Sequence, residues 1–239
     1  TNPNNPIIGN RSFGEDRDNV TDKALAFMKG MQSTGVLANA KHFPGHGDTE
    51  ADSHKTLPTV SFDEKRIDSV ELYPYKKLIK EGLSSVMVAH LNIPSLEPRD
   101  GYPSTLSENI VTSILKERLG FKGLIFTDAL TMKGASNFSA PGDIDLAAFK
   151  AGNDVMLMSG DVPTAINKFI QAYNANEITE TRLAHSVKKI LMAKYKVGLN
   201  NYKPIGTYNL VSDLNRIKDD ALYEMLMENA ITIARDTTN

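Results

Sequence analysis

Three of the chain's five histidines, His42, His46 and His54, fall within one stretch, Lys41–Pro58, which reads KHFPGHGDTEADSHKTLP. Lys41, Asp48, Glu50 and Asp52 share it. Pro44, Gly45 and Gly47 prevent a continuous helix there, and the apolar run Val36–Ala40 leads in as an expected strand. Imidazoles, carboxylates and a lysine on a loop after a buried strand point to a site rather than to packing. Asp52 and His54 stand two residues apart. At that spacing the carboxylate can hold a proton on one imidazole nitrogen and leave the other to exchange protons. Further along, Asp128 follows the apolar run Leu124–Thr127 (LIFT), which would fix its carboxylate at a strand end. An acid/base group facing a nucleophilic carboxylate is the minimal equipment for retaining glycoside hydrolysis. Lys41, His42 and Arg11 carry donors suited to sugar hydroxyls.

Other chemistries fit less well. His42, His46, Asp48 and His54 could bind a divalent ion, but their spacing follows no metal motif, and Pro44 and Gly45 forbid the helix that would align the first two. No metal and no cofactor are expected. The chain has no G-x-S-x-G elbow, no P-loop and no G-x-G-x-x-G fingerprint. His90 ends an apolar run, Ser85–Ala89, where packing and substrate contact are both open, and it joins the candidate ligand contacts. Asp154 reads as a cap or turn residue, and His185 as structural or solvated on a helix. Met156 and Met158 alternate in an expected strand and read as core.

The elements that must position these groups follow from length and pattern. At 239 residues the chain suffices for one large domain or two small ones. Its 41% hydrophobic and 23% charged residues are ordinary for a soluble globular protein. A net charge of −2 gives no electrostatic reason to expect nucleic acid or an anionic membrane as partner. There is no cysteine, and no apolar run approaches the ~20 residues of a membrane span. Apolar spacing predicts helices over Asp22–Ser33, Asp63–Leu72, Tyr75–Glu81, Ser107–Leu119, Ile144–Ala151, Val162–Asn174, Glu180–Tyr195 and Asp220–Ile233, with a polar linker near Asn200–Tyr208. Strands are expected at Val36–Ala40, Ser85–Ala89, Leu124–Thr127 and Val155–Met158. Strands alternating with helices mean parallel α/β architecture, in which chemistry lies at the C-terminal strand ends. Pattern alone leaves an open sheet and a barrel undecided.

KHFPGHGDTEADSH, with GNRSFGED before it and GLIFTDALTMKGA after it, resembles the catalytic domain of glycoside hydrolase family 3, in particular its β-N-acetylglucosaminidase (NagZ-like) branch. The resemblance runs from Thr1 to about Leu199. It implies a (β/α)8 TIM-type barrel, with Asp128 as nucleophile and His54 as general acid/base partnered by Asp52. Arg11, Lys41 and His42 would bind an N-acetylglucosamine unit, and His46 would shape or line the site. The implied substrates are glycans such as peptidoglycan or chitin fragments, released by a retaining exo-acting enzyme. A β-glucosidase-like specificity and a non-catalytic glycan-binding role remain as alternatives. So does phosphorolysis, because a neutral imidazole base repels phosphate less than a carboxylate would.

Only four strands are legible, all resembling the second half of the family barrel, and the chain opens on TNPNNPIIGN without Met. The first strands, and an upstream acidic residue for the sugar hydroxyls, would then lie before Thr1, and residues 1–199 would need that missing half for activity. Residues 200–239 read as a linker and a helix leading towards a second domain. The ending MLMENAITIARD resembles that of longer, often exported relatives, and so favours an exported or periplasmic location over the cytoplasm.

Overall fold

The structure is a computed structural model that describes residues 1–5, 7–49 and 56–232. Asp52 and His54 therefore lie outside the described residues. The chain divides into two compact units, Thr1–Leu199 and Asn200–Asn239. The second holds a short helix, Leu210–Leu214, and a longer one, Ile217–Ala230. Among the described residues no helix is long and apolar enough to cross a membrane.

The first unit is built on a parallel sheet of β1 (Asn39–Phe43), β2 (Ser85–Val88) and β3 (Leu124–Thr127), in that order. Parallel neighbours need crossover connections. Helix α1 (Arg17–Ser33) precedes β1, α2 (Tyr73–Lys80) lies between β1 and β2, and α3 (Asn109–Arg118) lies between β2 and β3. Helices α4 (Asp143–Ala151), α5 (Val162–Asn174) and α6 (Glu180–Lys196) follow. Val86, Val88 and Ile125 are fully buried between the sheet and its helices, with Phe43, Leu91, Ile110 and Leu115 packed around them. Each such side chain stabilises the fold by about 1.5–3 kcal/mol.

Local signals start and stop the helices. The Asp16 carboxylate accepts from the Asn19 N–H and caps α1. Ser107 caps α3 as its sequence position predicts, its hydroxyl accepting from the Ile110 N–H at 3.2 Å. Gly120, at φ +68°, ends that helix in a conformation only glycine adopts freely. The winding of α3 departs from the α-helix expected there, since Leu119 N–H reaches back five residues to the Ile114 carbonyl at 2.9 Å. This wider turn brings Ile110, Val111, Ile114 and Leu115 together in the core.

Two strand boundaries also depart from expectation. β1 begins at Asn39, not Val36, and continues to Phe43, so Lys41 and His42 belong to the strand and not to the loop. Val36 is half exposed and outside the ladder. The register runs Asn39 to Ser85 and Ala40 to Val86, then slips to Phe43 opposite Val88. Lys41 and His42 occupy this bulge, a device that re-aims side chains at strand ends. The Lys41–His42 and Phe43–Pro44 peptides are both cis. The fourth expected strand pairs only through Val155, opposite Phe126. Beyond it, the Leu157 N–H donates to the Thr127 hydroxyl at 2.9 Å instead of to a backbone carbonyl, and the ladder stops.

Asp154 is more than a turn residue. It is buried, and its carboxylate accepts from the Ile125 N–H at 3.0 Å, from the Ser186 hydroxyl at 2.5 Å and from the Lys189 ammonium. Arg182 lies over the Phe149 ring and donates to the Phe149 and Asn153 carbonyls. Together these contacts fasten α6 to β3. Removing one member of a buried ionic cluster leaves the others desolvated and unpaired. Asp154→Ala should therefore cost about 3–5 kcal/mol in urea denaturation, with Asp154→Asn less damaging. A loss within experimental error for the alanine variant would contradict this reading.

Candidate active site

Asp128 directly follows β3, and its N–H donates to the Val88 carbonyl at 2.9 Å, so the sheet's hydrogen bonding holds its backbone. Its Oδ1 accepts from the Ala129 N–H at 2.8 Å. Its Oδ2 faces His42 Nε2 at 3.7 Å, beyond hydrogen-bond range. The His42 and Asp128 side chains keep only 9% and 16% of their surface exposed. Burial pushes the His42 imidazole down to about 4, helped by the charges of Lys41, His46 and Arg11 and opposed by Asp128. The ring is thus neutral near pH 7, and the cations beside it are Lys41 and Arg11.

Arg11 ends a short 3₁₀ turn, Gly9–Arg11, where Nε and Nη2 donate to the Ile7 carbonyl. His46 is buried, 5.8 Å from the His42 ring in an edge-on arrangement, and its Nδ1 lies 2.8 Å from the Thr49 hydroxyl. A cleft of about 910 Å³ runs along β1, and Arg11, Lys41, His42, His46, Asp48 and Glu71 are among its lining residues. Asp48 accepts from Asn2 and pairs with Arg66, whose other nitrogen holds Glu71, so Asp48 ties the loop after β1 to neighbouring segments. Gly45 permits that closeness, because a β-carbon there would stand 2.7 Å from the Glu71 side chain. Among the described residues no group of three or more metal-ligating side chains is placed to hold an ion.

His90 departs from its expected role as a ligand contact. It has no exposed surface, with Nδ1 2.7 Å from the Thr105 hydroxyl and Nε2 3.0 Å from the Ala129 carbonyl. It stands behind Asp128, because it follows β2, the neighbour of the strand that Asp128 follows. The structure thus gathers His42, His46, His90 and Asp128 at the C-terminal strand ends, with Arg11 and Lys41 beside His42. Asn5 was missed from sequence. Its amide donates to the His46 and Gly47 carbonyls, and its side-chain oxygen accepts from Ile7 and Ile8 N–H, fixing both the Arg11 turn and the His46 loop. The available signal was an Asn in an Asn/Pro-rich segment, where such side chains bond to nearby backbone.

A carboxylate at one strand end, opposed by basic side chains from the next strand but one, is the layout of parallel β/α-barrel sites. The chain belongs to glycoside hydrolase family 3, since residues 1–193 match the family described as "Glycosyl hydrolase family 3 N terminal domain". It is 37% identical over 216 residues to beta-hexosaminidase A of Pseudoalteromonas piscicida, an alignment covering 82% of this chain and 36% of that one. It is also similar to a glycoside hydrolase family 3 beta-N-acetylglucosaminidase from Paenibacillus sp. str. FPU-7. There the TM-score is 0.93 at 34% identity, with 100% of this chain and 45% of that chain covered. The beta-glucoside phosphorylase BglX bound to 2FGlc gives a TM-score of 0.91 at 26% identity, covering 100% and 44%. The chain spans less than half the length of each of these relatives. The first unit is accordingly part of a TIM-type barrel of the family 3 kind.

The depressed His42 value has a stability consequence. The folded chain binds that proton less readily than the unfolded chain, so stability is full above the ordinary value of 6.5 and is lost as pH falls towards 4. The loss amounts to about 3 kcal/mol. Urea midpoints measured at pH 7.5 and 4.5 should fall further for the wild type than for His42→Gln, and parallel falls would refute this.

Proposed function

We propose that the chain carries the catalytic centre of a retaining exo-β-N-acetylglucosaminidase, with Asp128 as nucleophile and the Asp52–His54 pair as acid/base. The observation that carries this is the Asp128 carboxylate. One oxygen is taken up by the Ala129 N–H, while the other faces a neutral imidazole beside two cations. Asp128 Oδ2 attacks the anomeric carbon while His54 protonates the departing oxygen. A glycosyl ester forms, and the bond to the leaving group breaks. His54 then takes a proton from water, water attacks the same carbon, and the electron pair returns to Asp128. Lys41, Arg11 and His42 border the cleft as donors to sugar hydroxyls. Likeness to proteins described as beta-hexosaminidase and beta-N-acetylglucosaminidase supports N-acetylglucosamine as the recognised unit. Peptidoglycan or chitin fragments are the glycans we propose to present it.

Phosphorolysis is the second reading, favoured by likeness to a beta-glucoside phosphorylase. In it phosphate replaces water as the acceptor.

The test uses chromogenic N-acetyl-β-glucosaminide and β-glucoside side by side, with and without phosphate, on both the 239-residue chain and the full-length protein. The full-length protein should prefer the first substrate and release free sugar. Asp128→Asn should lower kcat by about 10³-fold or more, as expected when a covalent nucleophile is removed. Preference for the glucoside, or sugar 1-phosphate as the main product, would replace the specificity or the acceptor. Full turnover by the 239-residue chain would show that it needs no further part of the barrel.

A further inference from the structure

The His90 ring is buried, and both of its nitrogens face oxygen atoms. The Ala129 carbonyl facing Nε2 cannot donate, so Nε2 carries a proton. The Thr105 hydroxyl facing Nδ1 has a single proton to give. That hydroxyl also stands 2.5 Å from the Ala89 carbonyl, a contact that exists only with a proton between the two oxygens. The Ala89 carbonyl takes a second hydroxyl, that of Ser104, at 2.6 Å on its other lone pair. With the Thr105 proton spent on Ala89, the 2.7 Å contact to His90 Nδ1 requires a proton on the ring.

We propose that His90 is a positioning residue for Asp128 that works as a doubly protonated imidazolium, its Nε2–H fixing the Ala129 carbonyl and its Nδ1–H the Thr105 hydroxyl. The titratable groups facing it are the Asp128 carboxylate after β3 and His46 after β1. Burial, with His46 adding to it, pushes the ring below its ordinary value against the pull of the Ala129 carbonyl and Asp128. The second proton is required instead by the hydrogen-bond pattern, which leaves both ring nitrogens facing oxygens that have no proton to give them. Fixing the Ala129 carbonyl also sets the peptide on its far side. The same residue's N–H holds Asp128 Oδ1, so the turn carrying the carboxylate is braced from both directions. His90 faces the Thr105 hydroxyl and the Ala129 carbonyl and not Asp128 itself, so it acts on the carboxylate through the turn.

Given the proposed role of Asp128 as nucleophile, on which this inference rests, the cation acts most on the second half of the reaction. When the glycosyl ester breaks, its electron pair returns to Asp128, and a cation behind the carboxylate favours that return. Formation of the ester gains nothing from the cation. Loss of the charge should therefore slow breakdown of the ester more than its formation.

The first readout is independent of activity: ¹⁵N spectra of the histidine-labelled full-length protein at pH 7. The account expects the His90 ring to show two protonated nitrogens, with the signal assigned by its absence in His90→Gln. Should that variant fail to fold, Thr105→Val gives the assignment, since removing the oxygen opposite Nδ1 should leave His90 with one ring proton. The second readout is the time course with 4-nitrophenyl N-acetyl-β-glucosaminide. His90→Gln should show a burst of about one nitrophenol per chain, a steady-state rate about 100-fold below wild type, and an accumulated adduct in the intact mass. A singly protonated His90 ring in the wild type would overturn the proposal. So would a folded His90→Gln that loses rate without a burst. If the wild type itself is inactive on this substrate, the proposed function fails, and the ring spectrum still decides the charge of His90.

Discussion

The bond from the Asp128 N–H to the Val88 carbonyl is the constraint on which the site depends. It extends the pairing of β2 with β3 by one residue, so the position of the carboxylate is set by sheet register. A slip of one residue would turn Asp128 to the opposite face. The same register places His90, two residues past Val88, beneath the turn that carries Asp128. On the far side, the bulge in β1 turns His42 towards Asp128 Oδ2. Three strands contribute, and their order in the sheet decides which side chains meet.

β3 is held at both ends by buried polar groups with different tasks. Near its start, the Ile125 N–H donates to Asp154, which α6 neutralises through Ser186 and Lys189. At its end, Asp128 is braced by Ala129 and His90. A short strand with little area to bury is thereby fixed in register without additional length. The cost falls on desolvated charges, which stabilise only while every partner is present. Such an arrangement supplies a rigid mount for the carboxylate, as the proposed role of Asp128 requires.

Much of this was legible in the sequence because it depends on local pattern. The run Leu124–Thr127 and the helix Val162–Asn174 have the bounds that apolar spacing gives, and the Ser107 cap follows from a hydroxyl placed before an apolar repeat. The family motif led to Asp128, His42 and Lys41. What the sequence concealed depends on partners far along the chain. The bulge in β1 is defined only against β2, and charged residues at a strand's functional end look like loop. The wide winding of α3 answers to core space that no local signal describes. His90 looked available to a ligand because nothing nearby in sequence shows that Thr105 and Ala129 close around its ring. Asn5 acts on His46 and Gly47, more than forty residues away.

The central claim is that the Asp128 carboxylate forms a covalent bond with a sugar. The most direct measurement is trapping with a 5-fluoro N-acetylglucosaminyl fluoride, followed by peptide mapping of the full-length protein by mass spectrometry. The account predicts a single N-acetylglucosaminyl adduct on the peptide containing Asp128, absent in Asp128→Asn. Turnover with no adduct, or an adduct on another carboxylate, would contradict it.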